Sequence, residues 1–165
     1  MAGPRTVAAV RQAIYAALTT PPLGYQLWNG TAFAAALLPA ANVVPKLTFN
    51  PGAADPPSPL IAYAVSLLAP TSRHLFGEQN LRATLQISAS SSSDEVTEIA
   101  EAVNARLNFA DQEGGPWAGA ISRAGAAGYL GVVVRWIEIE RWSDPAFEEK
   151  SARWYVTLIY KIAAI

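Results

Sequence analysis

The chain contains no cysteine and a single histidine, His74. The first absence removes disulfides and thiolate metal sites and leaves the redox state of the compartment open. The second leaves a histidine-dependent triad or a histidine-rich metal site only one possible anchor. Charge is scarce too: charged residues make up 15% of the 165-residue chain and the formal net charge is -1. Ordinary soluble domains carry about 25%. A chain this neutral offers no broad basic field, which argues against unspecific nucleic-acid binding. No run approaches the roughly 20 apolar residues needed to cross a bilayer, and the N-terminus lacks an apolar core followed by a cleavage site. These features predict a soluble, unsecreted protein. Three signatures are also missing: the Gly-x-Ser-x-Gly elbow, the phosphate loop, and the dinucleotide fingerprint. Gly125, Gly128 and Gly131 do not form that fingerprint, because a strand pattern and not a helix follows them.

What the chain has in quantity is apolar material, 52% of all residues. With so few charges to cover its outside, either part of that apolar surface meets a partner or a well-filled core with an alanine-rich surface accounts for the excess, and composition favours neither. The length suits one domain over 1–165, able to bury about two-thirds of the surface its unfolded form exposes.

The organising stretch runs from Leu81 to Leu107. In Leu81-Arg82-Ala83-Thr84-Leu85-Gln86-Ile87-Ser88 every second residue is apolar, the period of a strand with one dry face. After a serine run, Val96, Ile99, Ala100, Val103 and Leu107 recur at helical steps. Ser92 and Glu95 have capping-box spacing, and Glu95, Glu98 and Glu101 are expected to face water. The helix is predicted to lie on the dry face of the sheet.

Around it, Val7, Val10, Ile14 and Leu18 mark an opening helix that Pro21-Pro22 ends. Residues 23 to 42 form an excursion in which Asn29-Gly30 signals a turn and Ala34 to Leu38 reads as a short helical turn. Asn29-Gly30-Thr31 matches the glycosylation triplet and, without a secretion signal, is read as accidental. Val43 to Phe49, interrupted by Pro45, reads as an edge strand. Leu60 to Leu68 reads as a central strand, with Pro70 to Asn80 as the loop leading to the Leu81 strand. Residues 111 to 130 form a long glycine- and alanine-rich loop, and loops of that length inside a compact domain are usually functional. Val132 to Trp142 and Ala152 to Ile162 form a closing hairpin. The fold class predicted is α+β: a mainly antiparallel sheet of four to five strands, with two principal helices on one face, in the order α-β-β-β-α-β-β.

Candidate chemistry is thin. His74 beside Arg73 reads as a solvated loop histidine. Glu138 and Glu140 read as a solvated or subunit-contact face near Arg135 and Arg141. The alternation of tryptophans with Arg123, Arg135, Arg141, Arg153 and Lys161 reads as core on one side and outer surface on the other. No catalytic residue, metal ligand or cofactor is assigned.

The layout resembles the tail terminator, or tail-completion, proteins of long-tailed phages. The segments that carry the likeness are Val7 to Leu18, Pro59-Leu60-Ile61-Ala62-Tyr63, Leu81 to Ser88, and Arg153 to Ile162. Most telling is Ser90 to Leu107 with Asp94-Glu95-Val96 and Ile99-Ala100-Glu101-Ala102-Val103. Residues 23 to 42 and 111 to 130 depart from the pattern. The resemblance implies a non-enzymatic virion protein forming a six-membered ring at the head-proximal end of the tail tube. There it stops tube polymerisation and offers the head-joining surface, after assembly in the host cytoplasm. Its implied partners are copies of itself, the tail tube protein and a head-tail connector or head-closure protein, with no membrane and no sequence-specific nucleic acid. Loop length and exposed aromatics nominate Arg73, His74, Phe76, Trp117, Arg123, Trp142 and Phe147 as contact residues. Two other readings stay open: another neck connector or minor tail protein, and a small-ligand-binding α+β domain or enzyme.

Overall fold

The computed structural model describes residues 4–46, 57–68, 79–108 and 134–164. Helix α1 (Pro4–Thr19) is followed by strands β1 (Gly24–Trp28) and β2 (Phe33–Leu37), a short 3-10 turn (Ala40–Asn42), and strands β3 (Val43–Val44), β4 (Leu60–Leu67) and β5 (Gln79–Ala89). Helix α2 (Ser93–Leu107) leads to β6 (Val134–Trp142), β7 (Ala146–Glu148) and β8 (Arg153–Ala164). The α+β class and the predicted order of the principal elements hold, with three strands added. Among the described residues the main sheet has six strands, ordered β3-β4-β5-β8-β6 with β7 also on β8, and β1 and β2 make a separate two-stranded sheet. Every pairing is antiparallel except β3 with β4.

The Leu81 alternation does what its period dictates. Leu81, Ala83, Leu85 and Ile87 are fully buried, and across the ladder they face Ile162, Tyr160, Leu158 and Val156, which are also fully buried. On the other side β4 presents Ile61, Tyr63 and Val65 to the same layer. The helices cover this face. Val96, Ile99, Ala100, Val103 and Leu107 of α2 and Val10, Ala13, Ile14 and Leu18 of α1 join the strand residues in one core. Burying each such large aliphatic side chain stabilises by about 1.5–3 kcal/mol.

Pro45 has the effect expected of it. β3 is two residues long and lies at the edge, Val43 and Val44 pairing with Ile61 and Ala62, while the Asn42 side-chain amide donates to the Pro59 carbonyl at 2.8 Å; residues 47 to 49 of the predicted strand lie outside the described residues. The strand at Leu81 begins earlier than its alternation showed, so Gln79 and Asn80 belong to β5 and not to the preceding loop.

Two expectations fail for the same reason, a tertiary partner that local pattern cannot reveal. Ala34 to Leu38 is not a helical turn: residues 33 to 37 pair with β1 from Trp28↔Phe33 to Gly24↔Leu37. Asn29 closes this hairpin through its side-chain oxygen, which accepts from the Thr31 and Ala32 amides at 3.0 and 2.9 Å, while Gly30 takes a positive φ of 100°. Glu95, expected in water, is 6% exposed. Ser92 caps α2 by accepting from the Glu95 amide at 3.2 Å, but the reciprocal arm of the capping box does not form. The Glu95 carboxylate instead accepts from the Tyr25 hydroxyl at 2.9 Å and from Ser91.

Arg106 on the last turn of α2 locks the two helices together. Its guanidinium donates to the carbonyls of Ala17 and Pro22, both at 2.9 Å, and to that of Pro21. The Ala17 carbonyl is among the last four of α1, which have no partner within the helix. Replacing Arg106 by methionine keeps the aliphatic stem and removes the donors. It is expected to lower stability by about 2 kcal/mol, measured by urea denaturation.

Candidate functional site

The described residues gather no group of three or more histidine, cysteine, aspartate or glutamate side chains able to hold a metal ion. What the fold does build is exposed apolar surface on strands. Among the described residues, six large apolar side chains stand in solvent: Trp28 (56%), Phe33 (62%), Leu37 (68%), Leu67 (42%), Trp142 (40%) and Phe147 (50%).

Of the seven contact residues nominated from sequence, Arg73, His74, Phe76, Trp117 and Arg123 lie outside the described residues. Trp142 and Phe147 are described, and both are exposed. They are positioned by β8: Trp142 is in register with Leu158 and Phe147 with Trp154, so both lie on the sheet face that carries the core. The Phe147 ring tilts against Trp154 with centroids 5.3 Å apart, while Trp154 packs on the core. Phe147 is thus held by a buttressed neighbour and still presents half its surface to water. The loop opened by Ser143-Asp144-Pro145 proves to contain the short strand β7, and this strand is what positions Phe147.

The larger surface was missed from sequence. The β1–β2 hairpin lies between α1 and β3 in the chain and rests on α2, with Tyr25 buried and Leu27 and Ala36 packed against the core. Its outer face carries Trp28 and Phe33 with ring centroids 5.2 Å apart in an edge-to-face contact, together with Leu37. The signal was available: Asn29-Gly30 between the aromatic-bearing segments Gly24 to Trp28 and Phe33 to Leu37 is a hairpin pattern. Helix-favouring Ala34, Ala35 and Ala36 obscured it. Residues 20 to 45 contain no charged side chain.

Where the hairpin meets α2 an open groove of about 410 Å³ is lined by Gly24, Tyr25, Gln26, Phe33, Glu98, Glu101 and Ala102. At its base the Tyr25 phenol donates to Glu95, and its pKa is pushed above the ordinary tyrosine value, first by burial and then by that hydrogen bond and the carboxylate's charge. Glu98 and Glu101 stand one turn apart on the helix wall. They have no cationic partner among the described residues, and the wall offers no histidine or lysine for acid–base exchange.

On the reverse face, Glu138 and Glu140 are both exposed, as the reading of a solvated face expected. A bulge between Ile139 and Arg141 breaks the register with β8, and Glu140 pairs with Arg82 across the sheet at 3.2 Å. Both partners are more than 40% exposed, so the pair is worth at most about 1 kcal/mol. Arg153, assigned to outer surface by alternation, is instead 6% exposed and donates to the Pro57 carbonyl at 2.9 Å. The Pro57 segment folds over this end of the sheet.

No family model matches the chain, and no curated protein matches it. Among solved structures it is similar to a chain of the virion of a native gene transfer agent particle, at a TM-score of 0.48 and 12% identity. The match covers 76% of this chain and 79% of that one. At that level the likeness carries no argument, and the functional reading rests on the chain's own residues.

Proposed function

We propose that this chain is a structural virion protein which forms a ring at the head-proximal end of a phage tail tube, ends tube growth and offers the surface that joins the head. The observation that carries the reading is that large apolar side chains are held in solvent by strands. Trp142 and Phe147 are fixed on one side of the fold by β8, and Trp28, Phe33 and Leu37 on the β1–β2 hairpin. A scaffold presenting aromatics in water is suited to contact, since such side chains dominate the energetics of protein interfaces. The segment-by-segment resemblance to tail terminator proteins supplies the kind of contact. In a ring, one patch of each subunit meets a different patch on the next until rotation closes the circle. Trp142 and Phe147, with Arg73, His74, Phe76, Trp117 and Arg123, are the contact residues of this reading.

The test is to add purified protein to tail tubes lacking their upper ring and image them. The expected result is density capping one end of each tube, and tubes so capped no longer elongate. Protein bound along the tube wall, or none bound at all, would sink the proposal. Phe147→Ala is expected to abolish capping while costing only about 1 kcal/mol, the worth of its contact with Trp154. A much larger loss of thermal stability would show Phe147 to be part of the core.

A further inference from the structure

The β1–β2 hairpin has an edge that its own sheet does not satisfy. The Leu38 amide donates to the Leu23 carbonyl at 2.8 Å and the Asn29 amide to the Ala32 carbonyl at 3.0 Å. In an antiparallel ladder these two bonds set the alternation between them, so Ala34 and Ala36 turn their main-chain groups toward β1. Phe33, Ala35 and Leu37 turn theirs outward. No strand pairs that outer edge among the described residues.

Proteins protect such edges with lysine, proline, a bulge or a cover. β2 has no charged residue, no proline and no irregularity of register, and four of its five side chains are exposed. An unprotected edge of this kind is a template for another strand.

The residues of β2 identify which strand fits. Two copies of Phe33–Leu37 laid antiparallel about Ala35 place Phe33 opposite Leu37 of the second copy, Ala35 opposite Ala35, and Leu37 opposite Phe33. All three pairs are of the hydrogen-bonded kind, so each outward amide meets an outward carbonyl. Side chains directly opposite share a face, so the outer face of the joined sheet would carry Trp28, Phe33, Leu37 and Gly24 as one row across four strands. The bulky residue at one end of the row is matched by glycine at the other. Nothing charged is buried, because the hairpin contains no charge.

We infer that the outer edge of β2 is a self-association site, at which two copies of this chain join their hairpins into one four-stranded antiparallel sheet about a two-fold axis through Ala35. The contact is isologous, so it differs in kind from the heterologous contacts that close a ring, and it rests on the main-chain edge of β2 and not on the tail reading. If rings form, it joins them in pairs.

Sedimentation equilibrium of the full chain over a concentration series tests the inference. The expected result is a reversible doubling of mass, which Ala35→Pro reduces twofold. Proline there removes an outward amide that makes no bond to β1, so its melting temperature is expected to match that of the parent. A register test uses the absence of native cysteine. Opposed residues of a hydrogen-bonded pair lie about 5.5 Å apart at Cα, within disulfide range. Ala35→Cys is therefore expected to give a cross-linked dimer under mild oxidant in at least tenfold greater yield than Lys150→Cys, an exposed control. Three results would overturn the inference. One is a single mass at all concentrations; another is a doubling that a folded Ala35→Pro variant retains. The third is binding of the parent to tail tubes through Ala35 while it stays undoubled in solution, which would make the edge a site for a foreign strand.

Discussion

Raising the pH above about 10 is expected to unfold this protein in one cooperative transition, because three tyrosines must stay protonated for the fold to stand. Tyr160 donates to the Asn104 side chain at 2.9 Å, Tyr63 to the Arg11 carbonyl at 3.0 Å and Tyr25 to Glu95 at 2.9 Å. Each phenol aims its proton at an oxygen from inside the protein, and burial raises the pKa of all three. In Tyr25 the carboxylate adds to that rise. Removing the proton would leave an anion facing a lone pair with little water to stabilise it.

Since the folded pKa lies above the unfolded one, the associated stability is fully present below the unfolded value of about 10. It is lost as pH climbs toward the folded value. Within that window the unfolded chain binds fewer protons, and a fully buried tyrosine lowers stability by at most about 1.4 kcal/mol per pH unit. Tyr160, the most deeply buried, comes nearest to that slope and Tyr63 and Tyr25, nearer to solvent, fall short of it, so stability declines progressively as pH climbs above about 10. Tyr25, at 8% the most exposed of the three, contributes least. Following tyrosinate absorbance and far-ultraviolet circular dichroism together checks the prediction. The delayed phenols should ionise only as ellipticity collapses. Ionisation of every tyrosine near pH 10 with unchanged ellipticity would refute it.

The second large effect centres on Glu95. Replacing it by alanine strands the Tyr25 hydroxyl in the interior, where a polar group without a partner costs about 1–3 kcal/mol, and also removes the acceptor of Ser91. The expected loss is about 3 kcal/mol, and the hairpin should loosen on α2, seen as faster amide exchange over residues 23 to 38. Glu95→Gln retains an acceptor oxygen and should lose about 1 kcal/mol. The cycle of Glu95→Ala with Tyr25→Phe should show strong coupling, because the double variant removes both polar partners at once. An alanine variant within about 0.5 kcal/mol of the parent would mean the bond contributes nothing.

Much of the molecule was determined by residue order alone. Alternation at Leu81 to Ile87 and at Val156 to Ile162, and the helical steps at Val96 to Leu107, report which side of each element is dry. That side is a local property, set by the geometry of strand and helix. Pro45 kept β3 at an edge for an equally local reason, the donor that proline lacks. The tertiary structure decided what depends on arrival from a distance. Glu95 and Arg153 are charged residues at positions where pattern predicts water, and they are buried because Tyr25 and the Pro57 carbonyl come to them from far along the chain. Residues 33 to 37 have the composition of a helix and form a strand because β1 lies beside them. The exposed Trp28, Phe33 and Leu37 follow from that pairing. Composition announced surplus apolar surface, but only the placement of two strands on α2 decided that it would stand on a hairpin whose outer edge no described strand pairs.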